Sequence, residues 1–439
     1  MSCWEGVVAD LSVDFAGIKC PNPFWLASGP PTNTYGQVAR AFDAGWGGAV
    51  WKTIGDPIIN VYSRYGSVDF GGQRMMGFNN IELISDRPIE DNLKEIAEAK
   101  RNYPKHVVIA SLMVESKQKA WHDIVKRVED TGCDGLELNF GCPHGMSERG
   151  MGAAVGQVPD YACQITQWVK EVARTPVIVK LTPNVTDVTY IARAARKGGG
   201  DAISLINTIN SIMAIDLATF APQPSVRGQG SHGGYCGPAV KPIALNMVAA
   251  CAADPQVGIP ISGIGGISTW RDAAEHLSLG ATTVQVCTAA MHYGFRIVED
   301  LADGLSRWMD GSGYERITDF AGKAVPNVRK WEDLDLNYFT VARIDYEKCI
   351  ECELCYAACE DGAHQAIRRN GRGNGSHAVE IIDEACVGCN LCSLVCPVAG
   401  CITMTEIPNG AKRVTWKDVT AGTGKLAARP EHFHTAKFG

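Results

Sequence analysis

Two runs of cysteine carry the strongest chemistry in this 439-residue sequence. Cys349, Cys352, Cys355 and Cys359 are separated by two, two and three residues, and Cys386, Cys389, Cys392 and Cys396 repeat that spacing, with Pro397 closing the second run. Thiolates so spaced on a tight loop reach three corners of one iron–sulfur cubane, and the fourth ligand comes from the other run. The pattern therefore assigns Cys349, Cys352, Cys355 and Cys396 to one [4Fe–4S] cluster. Cys386, Cys389, Cys392 and Cys359 go to a second. Zinc sites rarely use four cysteines in such a run twice over. Glu360 replaces the proline expected after the first run, which alters a loop and not the ligation. The chemistry is one-electron transfer.

A second stretch, Glu137 to Gly152, carries a thiol of another kind. The alternating run Gly135-Leu-Glu-Leu-Asn139 ends on an amide, and Cys142 follows in a loop punctuated by Gly141, Pro143 and Gly145. Hydride exchange at one carbon of a C=C bond needs a proton at its neighbour, and a loop thiol can serve as that acid or base. Most of the other single cysteines read as small buried hydrophobes. His144 and Arg149 lie nearby without an identifiable partner. Amides recur at strand or loop ends in Asn80, Asn139 and Asn207, the last followed by Thr208. Each amide offers a donor and an acceptor, which suits a neutral planar ring such as a pyrimidine. Glu82 can accept from a ring N–H.

Single electrons must be paired somewhere, and a flavin is the fitting carrier. Lys180 interrupts the apolar run Val177-Ile-Val-Lys-Leu181 and suits the N1/O2 edge of a reduced isoalloxazine, where negative charge gathers. Gly265-Gly266 and Gln285-Val-Cys287-Thr288 close the last two strand candidates, where barrels build phosphate sites from backbone N–H groups. Gly228-Gln-Gly-Ser-His-Gly233 matches a dinucleotide fingerprint but neither leaves a strand nor precedes a suitable acid. It reads as a flexible loop near the flavin, which leaves nicotinamide binding to another subunit.

These residues need a scaffold that gathers strand ends. Strand candidates are Phe24–Ser28, Gly48–Lys52, Val107–Leu112, Gly135–Asn139, Val177–Leu181, Ala202–Ile206, Pro260–Ile264 and Thr283–Cys287, with helical spacing between most of them. Eight apolar strands alternating with helices predict an α/β fold, a (β/α)8 TIM barrel, with an open doubly wound sheet as the alternative. Residues 54–88 show no pattern and read as an irregular functional insertion. The domain expectation is a barrel over 1–310, a linker over 311–340, a ferredoxin-like module over 341–405 and a tail over 406–439 that wraps a surface. A formal charge of −7 argues against nucleic acid or anionic membrane as partner. No apolar run of membrane-spanning length and no secretory leader are visible, so a cytoplasmic location is expected.

Asn80-Ile-Glu-Leu-Ile-Ser85, the Glu137–Gly152 stretch, Lys180-Leu-Thr-Pro-Asn-Val-Thr-Asp187 and the paired cysteine runs resemble dihydropyrimidine dehydrogenase from about residue 10 to 405. The resemblance is to the catalytic subunit of the two-subunit bacterial form, because the FAD/NADPH regions of the single-chain animal form are absent. It implies a barrel of the dihydroorotate dehydrogenase type holding FMN, two [4Fe–4S] clusters, and a separate flavoprotein subunit carrying FAD and NAD. It further implies reversible, NAD-linked reduction of uracil or thymine, with hydride passing from FMN N5 to C6 and a proton from Cys142 to C5. Asn80, Glu82, Asn139, Asn207 and Thr208 would hold the pyrimidine. Ser28, Lys52, Thr53, Lys180, Gly234, Gly265, Gly266, Cys287 and Thr288 would hold FMN, in a homodimer of barrels within a hetero-oligomer. The family has Ser before the catalytic Cys, where this chain has Gly141. A dihydroorotate dehydrogenase-like enzyme and an electron-transfer protein without turnover are the competing readings.

Overall fold

Eight short apolar segments, buried on both faces, form parallel strands that close on themselves. The computed structural model describes residues 9–56, 58–70, 72–143, 149–370 and 378–427. In chain order the barrel strands are β1 Phe24–Leu26, β2 Gly48–Ile54, β3 Val107–Leu112, β4 Gly135–Asn139, β5 Val177–Lys180, β6 Ala202–Leu205, β7 Ile261–Ile264 and β8 Thr283–Val286. Each pairs with its sequence neighbour, and β8 returns to β1 through Gln285 opposite Trp25. This is the barrel and not the open sheet.

The helices outside it are α1 Tyr35–Ala44, α2 Ile89–Asn102, α3 Gln118–Glu129, α4 Pro159–Lys170, α5 Val188–Lys197, α6 Lys241–Ala253, α7 Trp270–Ser278 and α8 Ile297–Ser312. Their ends follow local chemistry. Thr34 caps α1 by accepting from the Gln37 N–H at 3.3 Å, and Gly45 ends it at φ 108°, a conformation that favours glycine. The Asp187 carboxylate caps α5 at the Thr189 N–H, 2.9 Å away. A hairpin of Val13–Phe15 and Ile18–Cys20 brings Phe15 edge-on to Trp25 in a small core of its own.

Residues 54–88 are irregular only in part, because they include two strands. Strands Tyr65–Phe70 and Gln73–Asn80 join Gly233–Cys236 and Ile209–Ser211 in a four-stranded antiparallel sheet. Alternation failed as a signal because the first of these strands faces solvent with Val68 and Phe70 exposed. At Gly77 the Tyr235 ring occupies the space a Cβ would need, so glycine there sets how closely two strands pack. The glycine-rich segment after Gly228 leads into this sheet through a turn bridging Val226 and Gln229.

The barrel unit runs to Val328. Ile317 and Phe320, in the segment expected to be linker, are buried in its core. The second unit begins at Arg329 and pairs strand Thr340–Ile344 with Ile402–Glu406, and Ile367–Arg369 with Val379–Ile381. The tail as far as residue 427 packs on this unit, with the Leu336 N–H donating to the Val414 carbonyl at 2.8 Å. Among the described residues no helix is long and apolar enough to cross a membrane.

Candidate active site

The residues expected to do chemistry follow the barrel strands or the lid strands, and the fold gathers them at one mouth. The cavity there encloses about 1120 Å³ of empty space, counting its opening to solvent. Ser28, Lys52, Thr53, Lys180, Gly265, Gly266, Cys287 and Thr288 line it, together with Asn80, Glu82, Asn139, Asn207, Thr208 and Cys142. Gly234 does not. It lies in a lid strand, its carbonyl accepting from Asn80 Nδ2 at 3.3 Å, and Thr208 stands where its Cβ would be. The Gly228–Gly233 loop is also outside the lining.

One hydrogen-bond chain crosses the mouth. Ser28 Oγ and Thr53 Oγ1 are 3.1 Å apart, Asn139 Nδ2 donates to Thr53 Oγ1 at 2.9 Å, and Asn207 Nδ2 donates to Asn139 Oδ1 at 3.0 Å. Ser111 Oγ, unnoticed in the sequence, meets Thr53 Oγ1 at 2.9 Å. Residues expected to hold flavin and residues expected to hold pyrimidine are thus one connected set. The same holds for the charges. Lys52 forms a buried ion pair with Glu82, which also accepts from Tyr65 Oη at 2.8 Å and Arg64 Nη1 at 3.3 Å. Burial, with the Glu82 carboxylate beside it, raises the Tyr65 phenol well above its ordinary range, so it remains a donor.

Lys180 has a partner the sequence did not announce. Glu137, fully buried on β4, stands 3.5 Å from the Lys180 ammonium through Oε1. Its Oε2 accepts from Ser204 Oγ at 2.8 Å and from Gln285 Nε2 at 3.4 Å. Glu137 reads as one more polar residue in an alternating strand, but β4 is buried on both faces, so its carboxylate points into the barrel. The acid two residues before Asn139 and the strand-interior Lys180 were the available signal.

Cys142 is buried beside Ile84, Met113 and Met151, with Sγ 3.7 Å from the Leu83 carbonyl oxygen. The neighbouring Gly141 is a close fit: a Cβ there would meet Asn207 Cβ at 2.5 Å and Nδ2 at 2.7 Å. Arg149 finds a partner in Glu115 at 3.7 Å. His144 lies outside the described residues. Cys236 and Cys287 also line the cavity, and burial pushes their thiols up to about 11 and about 12. Both stay protonated near neutral pH.

Buried donors and a glycine cradle fit the pocket to a flavin phosphate. Gly265 at φ 128° and Gly266 at φ 73° lie against the start of α6, and a Cβ on Gly266 would meet Lys241 Cβ at 2.6 Å. Glycine takes such φ values without strain, and a turn of this kind beside a helix start is suited to an anion.

In the second unit the eight cysteines sort into two cavities. Cys349, Cys352, Cys355 and Cys396 line one, of about 350 Å³ empty volume, and Cys359, Cys386, Cys389 and Cys392 the other, of about 360 Å³. Each set draws its fourth thiol from the opposite run. Residues flanking Cys352 and Cys389 take left-handed backbone at matching positions, Glu351 and Glu353 in one run, Gly388 and Asn390 in the other. Such turns form nests of inward N–H groups suited to an anionic cluster. The thiols ring a cavity, whereas one zinc would draw four of them to about 2.3 Å from a point.

Barrel, charged mouth and cysteine module together define the class: an oxidoreductase of the dihydroorotate dehydrogenase type followed in sequence by an iron–sulfur domain. Residues 10–309 match the family model "Dihydroorotate dehydrogenase" and residues 342–404 match "4Fe-4S dicluster domain". The NAD-dependent dihydropyrimidine dehydrogenase subunit PreA of Escherichia coli K12 is 44% identical over 400 residues, 91% of this chain and 96% of that protein. The chloroplastic dihydropyrimidine dehydrogenase (NADP(+)) of Arabidopsis thaliana is 43% identical over 337 residues, 74% of this chain and 79% of that one. The catalytic subunit of dihydroorotate dehydrogenase B (NAD(+)) from Pyrococcus abyssi is 37% identical over 315 residues, 72% of this chain and 99% of that one. A crystal structure of dihydroorotate dehydrogenase from Eimeria tenella superposes with a TM-score of 0.58 at 18% identity, covering 71% of this chain and 88% of that one, which supports the fold. The chain belongs to the dihydropyrimidine dehydrogenase family.

Proposed function

We propose that the chain reduces the C5–C6 double bond of uracil or thymine, reversibly, and that its mouth holds FMN beside the pyrimidine. FMN, when bound, supplies hydride exchange and pairs electrons that arrive singly. The rest is done by side chains. Cys142 holds the proton that goes to C5. Asn80, Asn139, Asn207, Thr208 and Glu82 set the ring's orientation through its alternating N–H and C=O edge. Ser28, Lys52, Thr53, Lys180 and the backbone around Gly265, Gly266, Cys287 and Thr288 hold the flavin. The sorted cysteines would hold two [4Fe–4S] clusters, which would supply one-electron transfer between this chain and a partner subunit that binds FAD and NAD.

The observation that carries this reading is the charge balance of the mouth. Its lysines, Lys52 and Lys180, are each engaged by a buried carboxylate, Glu82 and Glu137. A neutral ring suits such a pocket, whereas orotate would bring a carboxylate up against Glu82, whose cations, Lys52 and Arg64, are already paired with it. A thiol and a proton-donating Tyr65 at the same mouth favour turnover over a passive docking role. The test is anaerobic purification together with the flavoprotein partner and assay of NADH oxidation against uracil, thymine and orotate. Oxidation driven by uracil or thymine supports the proposal. Orotate as the sole acceptor, or no acceptor at all, overturns it.

A further inference from the structure

A fifth thiol shares the first iron–sulfur cavity. Cys401 is buried and lines the space ringed by Cys349, Cys352, Cys355 and Cys396. It is also well fixed. The Asp345 N–H donates to the Cys401 carbonyl at 2.7 Å, and the Cys401 thiol donates to the Asp345 carbonyl in a long contact of 3.6 Å. The second cavity supplies an internal comparison. Cys401 directly precedes Ile402, which opens the strand after the second run, and Ala366 directly precedes Ile367, which opens the strand after the first. Ala366 lines the other cavity and sends its backbone N–H to Cys359 Sγ at 3.3 Å. Corresponding positions therefore carry a thiol in one cavity and a methyl in the other.

We propose that Cys401 is a positioning and potential-tuning residue, a thiol that binds no iron and shares its S–H between the Asp345 carbonyl and the sulfurs of the cluster held by Cys349, Cys352, Cys355 and Cys396, making the two clusters unequal. This rests on the clusters assigned above. A donor to cluster sulfur stabilises the more negative, reduced state and so raises the reduction potential. The Ala366 comparison also says that a methyl at this position is compatible with a neighbouring cluster.

The test is anaerobic redox titration of the full chain, followed by the paramagnetic signals of its reduced clusters, with iron and sulfide analysis. Cys401→Ala should retain both clusters and move one of them to a lower potential, by on the order of tenfold in its reduction equilibrium (about 59 mV for one electron), the size of one hydrogen bond to a charged acceptor. Cys401→Ser, which keeps a donor, should restore most of the shift. Two unmoved potentials overturn the proposal. So does loss of one cluster in Cys401→Ala with retention in Cys396→Ala, which would make Cys401 the ligand. If the wild-type chain binds no iron and sulfide, it is the cluster assignment that fails.

Discussion

At the scale of single residues, the mouth works through close fits and paired charges. Cys142 is held against the Leu83 carbonyl and three apolar side chains, Ile84, Met113 and Met151. Cys142→Ala should lower kcat with uracil by about 10²–10⁴, the usual worth of a placed acid, while flavin, iron and sulfide stay at wild-type levels. Steady-state kinetics with cofactor analysis checks this, and a wild-type rate would remove Cys142 from the mechanism. Gly141→Ser would push on Asn207, whose atoms already fill that space. A raised KM for uracil, by as much as 10²-fold for a displacement near 1 Å, is expected from initial rates. An unchanged KM would show that Asn207 does not orient the ring. Glu137→Leu would strand the Lys180 charge in the barrel, and breaking such a pair costs about 3–5 kcal/mol. The thermal midpoint of the variant should fall clearly below that of the wild type.

Cys142, the amides and Lys180 were legible because their residue types interrupt local patterns: an amide closing an apolar run, a lysine inside one, a thiol in a glycine-flanked loop. Glu137, Ser111 and Ser204 were not, since nothing in a strand's own sequence says that both of its faces are buried. The pairing of Lys52 with Glu82 was equally hidden, because 30 residues separate them and a lid strand brings them together.

At the scale of elements, β7 and α7 show how the fold supports the glycine cradle. His276 on α7 is fully buried, and its Nε2 lies 3.2 Å from the Gly265 carbonyl oxygen. Burial pushes its imidazole down to about 4 from 6.5. Between those two values the unfolded chain binds a proton that the folded chain does not. Stability is therefore full above about pH 6.5 and falls as pH is lowered toward 4, by about 3 kcal/mol in total for this group. Denaturation midpoints measured across that range should show the fall in the wild type and a flatter profile in His276→Leu. An identical profile in both would place the acid sensitivity elsewhere. The barrel strands were visible as continuous apolar runs, and the helices through their spacing and caps. The lid sheet was not, because its outer strand exposes apolar residues, two of the others span only three or four residues and the third mixes amides with a glycine, so neither period of two nor continuity survives.

At the scale of the whole chain, a 4Fe-4S dicluster domain, a type suited to single electrons, follows a dihydroorotate dehydrogenase barrel in one sequence. The two cysteine runs were readable from spacing alone, since ligation to a cubane constrains sequence more tightly than a fold does. The role of 311–328 was not, because packing on a barrel leaves no signature in a polar, proline-containing segment. The central claim is that electrons placed on this chain leave through a pyrimidine ring. Its most direct test is to reduce the purified chain anaerobically with dithionite, remove the excess, add uracil, and follow flavin and cluster absorbance alongside dihydrouracil formed. The account expects reoxidation, with one dihydrouracil for each electron pair lost. A chain that stays reduced with uracil and thymine, or is reoxidised only by orotate, would contradict it.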